Sequence, residues 1–173
     1  MKRATFQGMA CPLANALERI GDGWSLLILR DALYGLRRFD EFMDSLGIAS
    51  NTLSCRLNAL ITHGLLERRP YQDHPPRHEY HLTEAGRDLR HVVITLMAWG
   101  NQHSKSAQTI FLADQSTGQP VDLALIDANT GQRITRERHR VRLTADAGGL
   151  AHWRLRAGQT YLDNDAALTT PLN

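Results

Sequence analysis

Residues 38–64 read RFDEFMDSLGIASNTLSCRLNALITHG, and they contain two apolar patterns with helical spacing. In residues 38–46 the apolar side chains recur three and four residues apart, which predicts a short helix with one buried face. Gly47 supplies a turn, and Ser50 or the residue before it caps a second helix that ends near His63. Two short helices joined by a glycine-containing turn are the signature of a helix-turn-helix.

The residues that follow predict a β-hairpin. Residues 65–71 and 77–82 are typical of strands, and residues 72–76, QDHPP, are typical of the turn between them. In the second strand, alternation places His78, Tyr80 and Leu82 on one face. A hairpin directly behind the second helix is a wing, so residues 38–83 are predicted to form a winged helix-turn-helix unit.

Further helices are predicted on both sides of this unit. Pro12 opens a first helix that ends at Gly21, and residues 24–33 are apolar nearly all round, which predicts a helix central to the core. Behind the wing, Thr83 caps a long helix from Glu84 to about Ser106. Its predicted buried stripe is Leu89, Val92, Val93, Leu96, Met97 and Trp99.

The pattern changes beyond about Thr109, where a short repeat is visible. LADQSTGQPV at residues 112–121 matches LIDANTGQRI at residues 125–134, and each copy is typical of a strand that leads into a glycine turn. The predicted fold class is α+β, mainly α. It comprises a winged helix-turn-helix domain (residues 1–109), a small β-rich module (residues 110–163) and a tail expected to be disordered (residues 164–173).

Composition excludes several classes of protein. The 173 residues contain two cysteines, too few for a disulfide scaffold, and no apolar run long enough for a membrane span or a secretory signal. We therefore expect a cytoplasmic protein without membrane contact. Because the net charge is only +2, binding to nucleic acid has to be inferred from local placement of side chains.

The second helix of the unit has the composition of a DNA-reading helix. With Leu53 at the centre of the buried face, steps of about 100° place short polar side chains on the opposite face, and asparagine can recognise adenine. Acidic residues are absent from residues 50–63. A polar face also occurs on any solvated helix, but the preceding helix, the missing acids and the wing favour DNA.

Eleven residues are predicted to contact double-stranded DNA. Asn51, Ser54, Cys55 and Asn58 are expected to read bases, and the arginines are expected to hold phosphates. The complete set is Arg38, Ser50, Asn51, Thr52, Ser54, Cys55, Arg56, Asn58, Arg68, Arg69 and Arg77.

These residues and motifs together resemble the HxlR-type transcription regulators, a branch of bacterial winged helix-turn-helix proteins. The resemblance covers roughly residues 9–106 and includes CP at 11–12, IGDGW at 20–24, LSCRL at 53–57 and GLLER at 64–68. Its most specific part is the wing, PPRHEYHLTEAG, at residues 75–86. Gly23 departs from the family pattern, which usually has a basic residue before the tryptophan.

The resemblance implies a homodimer that binds a two-fold symmetric operator, most often as a repressor, with the first and last helices of the domain pairing across the axis. It also implies a redox-sensing hypothesis for Cys11, which precedes the first helix, where the helix dipole favours negative charge. Some relatives carry paired cysteines near the glycine turns of the C-terminal extension. This chain has Ser116, Thr117, Asn129 and Thr130 there, so we expect no metal and no cofactor.

The residues also bear on other classes of function. We expect no enzymatic activity, because the sequence has no catalytic triad spacing, phosphate-binding glycine loop or zinc-hydrolase motif. The alternative is a ligand-sensing or protein-interaction module without sequence-specific DNA binding. A small-molecule or oxidant effector is compatible with either, and Trp24, Tyr34 and Trp99 could line a ligand cavity, although core positions are the commoner role of such residues.

Overall fold

The computed structural model describes residues 5–104 and 110–168. Ser106, the predicted end of the long helix, and residues 169–173 of the predicted tail lie outside the described residues. The chain divides into two compact units, one of residues 16–123 and one of residues 1–15 with 124–173. In chain order the elements are α1 (Pro12–Ile20), α2 (Gly23–Tyr34), α3 (Phe39–Leu46), α4 (Ser50–Thr62), β1 (Leu66–Gln72), β2 (Arg77–Leu82), α5 (Glu84–Asp88), α6 (Arg90–His103) and α7 (Gly149–Leu168).

The core of the first unit is built around α2. This helix packs against α3, α4, α6 and β2. Its Ile28 and Leu29 are completely buried, as expected for a helix that is apolar nearly all round. The fully buried apolar side chains are Ile28, Leu29, Phe42, Leu53, Leu57, Leu60 and Leu66, so the helix-turn-helix and the first wing strand share one core with α2.

The predicted helix-turn-helix is confirmed. α3 ends at Gly47, which has φ 59°, a left-handed conformation that glycine adopts without steric cost. Ile48 in the turn is buried in the core. α4 begins at Ser50 with Ala49 as its N-cap, so the residue before Ser50 is the cap.

The predicted wing is confirmed as an antiparallel pair, β1 with β2, in which Arg68 lies opposite Tyr80. A third piece of extended chain joins it before α3. There the N–H of Tyr80 donates to the carbonyl of Arg37 at 2.7 Å, and Arg38 forms an isolated bridge with Glu79. The wing is therefore fixed to the start of α3 by backbone hydrogen bonds.

Thr83 joins the base of the wing to the end of α4 and the start of α5 through hydrogen bonds of its hydroxyl. Its hydroxyl donates to the carbonyl of Gly64 at 2.7 Å and accepts from the N–H of Gly86 at 3.1 Å. A Cβ on Gly86 would lie 2.1 Å from the carbonyl oxygen of Leu65, which no side chain can tolerate. The end of α4, the wing and the start of α5 are thus held at one point.

The long helix predicted from Glu84 is two helices, because Leu89, with φ −66° and ψ −8°, interrupts the regular geometry between α5 and α6. The predicted buried stripe is wrong for most of α6. Val93 is 7% exposed, but Val92, Leu96 and Trp99 are 43%, 48% and 63% exposed. The reason is geometric: α6 packs against α2 and α5 on one side, and the core of a single chain has no room for a second apolar face.

The expectation that Trp24 and Tyr34 lie in the core is also wrong. They are 38% and 52% exposed. Both lie at the ends of α2, Trp24 in its first turn and Tyr34 as its last residue.

The two copies of the repeat have matching local structure. In the first, the N–H of Gly118 donates to the carbonyl of Asp114 at 2.8 Å, and in the second, Gly131 donates to Asp127 at 2.8 Å. Each copy contains one isolated antiparallel bridge, Ala113 with Pro120 and Ile126 with Arg133. Residues 110–148 therefore contain β-type turns and bridges but, as described, no continuous strand.

The predicted β-rich module does not extend to residue 163, because α7 spans Gly149–Leu168. Residues 164–168 of the predicted disordered tail belong to the same helix. The segment contains four Leu and four Ala and only one β-branched residue, Thr160, so helical propensity outweighs strand propensity there. No helix in the described part of the chain has the length and apolar composition needed to cross a membrane.

Candidate nucleic-acid interface

One face of α4 is polar and open to solvent. Burial of Leu53, Leu57 and Leu60 fixes the rotation of the helix and turns the remaining side outward. Thr52 is half-buried at the edge. The exposed polar side chains are those of Ser50, Asn51, Ser54, Cys55, Asn58 and Thr62.

The N-terminal end of α4 is also open. Its cap, Ala49, has no side chain that could accept a hydrogen bond, and the first turn contains no acidic residue. The N–H groups of that turn carry partial positive charge, which favours an anion such as phosphate. Ser50 and Asn51 stand beside this end of the helix.

Arg56 is half-buried and faces the body of the unit. Its Nε lies 3.2 Å from Oδ1 of Asp22, and the Asp22 side chain also caps α2 by accepting from the N–H of Ser25 at 3.0 Å. The ion pair joins α4 to the start of α2. Arg56 is therefore less available to a phosphate than the sequence suggested.

Arg38 lies between α3 and the wing. Its guanidinium is 4.8 Å from the centre of the Tyr71 ring, and its Nε is 3.6 Å from Oε1 of Glu79. The side chain is 49% exposed, so part of the charge remains accessible. Stacking on Tyr71 orients the guanidinium without neutralising it.

The backbone at Arg38 is fixed by Glu41. Oε2 of Glu41 accepts from the N–H groups of Arg37 and Arg38, each at 2.8 Å. These hydrogen bonds, from Arg37 first and Arg38 second, hold the pKa of Glu41 below its ordinary value. The clamp fixes the start of α3, where the wing also attaches.

The arginines of the wing are not equivalent. Arg68 and Arg69 are adjacent on β1 and therefore point to opposite faces. Arg69 forms an ion pair with Glu67, whereas no ion pair of Arg68 or Arg77 occurs within the described residues. Arg68 lies opposite Tyr80, whose pKa is raised by burial and lowered to a smaller extent by the Arg68 charge.

The two cysteines differ in exposure. Cys55 is exposed on the polar face of α4, and Cys11 is half-buried just before α1. Both are free thiols.

The turns of the repeat are organised by carboxylates. Oδ1 of Asp114 accepts from the hydroxyl and N–H of Ser116 and from the N–H of Thr117, and these bonds lower the pKa of Asp114 to about 2. Asp127 accepts from Asn129 and Thr130 in the same way. Within residues 5–104 and 110–168, no group of three His, Cys, Asp or Glu side chains is arranged to hold a metal ion.

Sequence reasoning missed Asp22, Glu41 and Tyr71. Glu41 had a usable signal, since a Glu three residues after a helix cap is half of a capping box, but the cap is Arg38 instead of Ser or Thr. The contacts of Asp22 and Tyr71 join residues far apart in sequence, and no local pattern reports them.

Known proteins that are similar to this chain share its family and its fold. The HxlR-like helix-turn-helix family model matches residues 19–108. An uncharacterised HTH-type transcriptional regulator of Mycobacterium bovis is 44% identical over 125 residues, which are 71% of this chain and 79% of that protein. The chain belongs to the HxlR-like helix-turn-helix family, and it is a DNA-binding transcriptional regulator with a winged-helix fold.

Solved structures support the same assignment. The crystal structure of PA1607, a candidate transcription factor, is similar with a TM-score of 0.72 and 36% identity, over 82% of this chain and 100% of that chain. The redox regulator HypR in its reduced form has a TM-score of 0.52 and 31% identity, over 55% of this chain and 95% of that chain. The match to PA1607 extends well beyond residues 19–108, so that structure shares more than the DNA-binding unit.

The Glu41 clamp predicts a pH-dependent stability. Because the pKa of Glu41 is lower in the folded chain, its contribution is complete above the unfolded value and is lost as the pH falls through the folded value. We expect the difference in free energy of unfolding between wild type and Glu41→Gln to shrink between about pH 6 and about pH 3. Urea unfolding at several pH values measures it. Asp44→Asn, on the same helix, is the control, and a pH-independent difference for Glu41→Gln would contradict the prediction.

Proposed function

We propose that the protein is a repressor that binds a two-fold symmetric operator as a homodimer. The observation that carries the proposal is the exposed, acid-free polar face of α4, which lies next to the wing in the first unit. An α-helix fits the major groove, and a helix-turn-helix dimer reads two half-sites about one helical turn apart. Occupation of an operator that overlaps a promoter would block transcription.

Base recognition is assigned to the centre of the polar face of α4. Asn51, Ser54, Cys55 and Asn58 are exposed on it, and asparagine can make paired hydrogen bonds to adenine. Ser50 and Thr52 flank the open end of the helix, where a phosphate is favoured by the N–H groups of the first turn. Specificity would therefore depend on four short side chains.

Phosphate contacts are assigned to the arginines in order of availability. Arg68 and Arg77 on the wing come first, because they are exposed and make no ion pair within the described residues. Arg38 follows, partly engaged by Glu79, and then Arg69, which pairs with Glu67. Arg56 ranks last because its guanidinium already forms an ion pair with Asp22.

Homodimer formation is supported by the apolar side chains that a single chain leaves in water. On α6 they are Val92, Leu96 and Trp99, which recur at spacings of four and three and therefore form one stripe. α1 likewise exposes Leu13 at 67% and Leu17 at 36%. Exposed apolar stripes on two helices are typical of surfaces that pair across a two-fold axis.

The base and phosphate assignments predict different effects on DNA binding. Asn58→Ala should weaken binding to the operator by about 1–3 kcal/mol and leave binding to unrelated DNA nearly unchanged. Arg68→Gln should weaken both and reduce the slope of log affinity against log salt by about one. Footprinting on genomic fragments identifies the operator, and fluorescence anisotropy at several salt concentrations then measures each variant.

Arg56→Gln is the matched control for Arg68→Gln. Since Arg56 pairs with Asp22, its substitution should lower thermal stability and leave the salt slope at the wild-type value. Equal losses on all DNA sequences for Asn58→Ala, or the same slope change for Arg56→Gln and Arg68→Gln, would show the assignments to be wrong.

The dimer surface is tested at Leu96. Leu96→Glu places a charge in the middle of the apolar stripe, and we expect the dimer dissociation constant to rise at least about tenfold, since burying an unpaired charge is costly. Sedimentation equilibrium measures it. The control is His91→Glu, an exposed position that helical geometry places well away from the stripe. A dimer unaffected by Leu96→Glu would exclude this surface.

An oxidant response is assigned to Cys11. HypR, a structural relative, is described as a redox regulator, and Cys11 is a free, half-buried thiol at the start of α1. Diamide treatment should change operator affinity at least about fivefold in the wild type and leave Cys11→Ser unchanged. The Cys55→Ser variant distinguishes this response from a direct effect of oxidising Cys55 on the polar face of α4. If Cys11→Ser responds as the wild type does, the sensor assignment fails.

A further inference from the structure

The first unit contains a cavity of about 560 Å³ between α2, α6 and residues 110–123. Its walls are mainly apolar and include Leu33, Ile94, Met97, Phe111 and Val121. Cavities of this volume with apolar walls and few polar groups are typical of small-molecule sites. Phe111 is 52% exposed, so the cavity is reachable from solvent.

Few polar groups on the wall are available to a ligand. The amide nitrogen of Asn101 donates to the carbonyl of Ile110 at 2.9 Å, and Asp122 already takes part in an interaction. The hydroxyl of Tyr34 lies 3.4 Å from the sulfur of Met97. Arg90 is the cationic side chain of the wall, it is exposed, and it forms no ion pair within the described residues. Arg90 is therefore the side chain of the wall that can pair with an acid.

The cavity lies on the opposite side of α6 from the exposed stripe. With about 100° per residue, Val92, Leu96 and Trp99 fall on one side of the helix, whereas Arg90 and Met97 fall on the other. A second copy of the chain that covers the stripe would leave the cavity accessible. α6 is thus the wall of the cavity on one side and the surface available to a partner on the other.

We propose that this cavity binds a small, mainly apolar organic anion, an aromatic or acyl group with one acidic substituent. The apolar part packs against Met97, Ile94 and Phe111, and the acid pairs with Arg90. Because α6 carries both the cavity wall and the stripe, occupancy shifts the position of α6 and with it the spacing of the two DNA-reading helices. Ligand binding is inferred from the cavity alone, whereas the expected change in DNA binding rests on the proposed function.

The test uses 8-anilinonaphthalene-1-sulfonate as the probe and its uncharged analogue N-phenyl-1-naphthylamine for comparison. The full chain is labelled with ¹³C at the methyl groups of its four methionines, of which Met97 lines the cavity. We expect titration to move the Met97 resonance, assigned by Met97→Leu, and to leave that of Met43 in place. An unmoved Met97 resonance, or equal shifts of Met97 and Met43, overturns the proposal.

Two variants test the assigned contacts. Arg90→Gln should weaken binding of the sulfonate about tenfold and leave the uncharged analogue within about twofold, since only the former uses the charge. Ile94→Trp puts a larger side chain on the apolar wall and narrows the cavity, and it should weaken binding of both probes. Arg87→Gln, on α5 outside the cavity, is the matched control. Unchanged sulfonate binding by Arg90→Gln overturns the choice of an anion.

The effect on DNA is measured separately. Operator affinity is compared with and without a sulfonate concentration that saturates the wild type, and a change of at least about fivefold is expected for the wild type and a smaller one for Ile94→Trp. Unchanged affinity overturns the regulatory step. If the ligand-free protein does not bind any operator, the proposed function fails while the methyl-shift result still decides whether the cavity binds the anion.

Discussion

The structure depends on the one-sided burial of α4. Leu53, Leu57 and Leu60 enter the core shared with α2, and this packing fixes both the position and the rotation of the helix. The three side chains are spaced four and three residues apart and therefore define a single face. The polar residues between them consequently lie on the opposite, solvent-facing side of α4. The position of the polar face of α4 is therefore a consequence of the core, and a change in the packing of α4 would rotate this face with it.

The charges of the first unit act locally. The net charge of the whole chain, +2, gives almost no long-range attraction to DNA, and Arg56 and Arg69 are paired within the protein. Asp22 and Glu67 engage Arg56 and Arg69, and Tyr71 orients Arg38 while leaving its charge in place. Under the proposed function, affinity for phosphate would depend on a few guanidinium groups near α4 and the wing that make no ion pair within the described residues, since a paired charge releases fewer counterions.

Local patterns predicted the DNA-binding unit well because its elements are defined by short-range physics. The spacing of apolar residues predicted α3 and α4, Gly47 predicted the turn between them, and the alternation of side chains predicted β2. Prediction was weaker where a choice depended on neighbours. Val92, Leu96 and Trp99 have the spacing of a buried stripe, but spacing does not say whether the covering surface belongs to the same chain. α7 was missed because the glycine turns of the repeat suggested that β structure would continue.

The sequence by itself determined the helix-turn-helix, the wing and the acid-free face of α4, since each follows from the periodicity and chemistry of adjacent residues. Only the tertiary structure decided which charges are free and which faces are covered. Asp22 meets Arg56, and Arg38 meets Tyr71 and Glu79, across 34, 33 and 41 positions of sequence. Folding in three dimensions also left a cavity beside α6. Such contacts depend on how separate elements pack, and no periodicity along the chain encodes them.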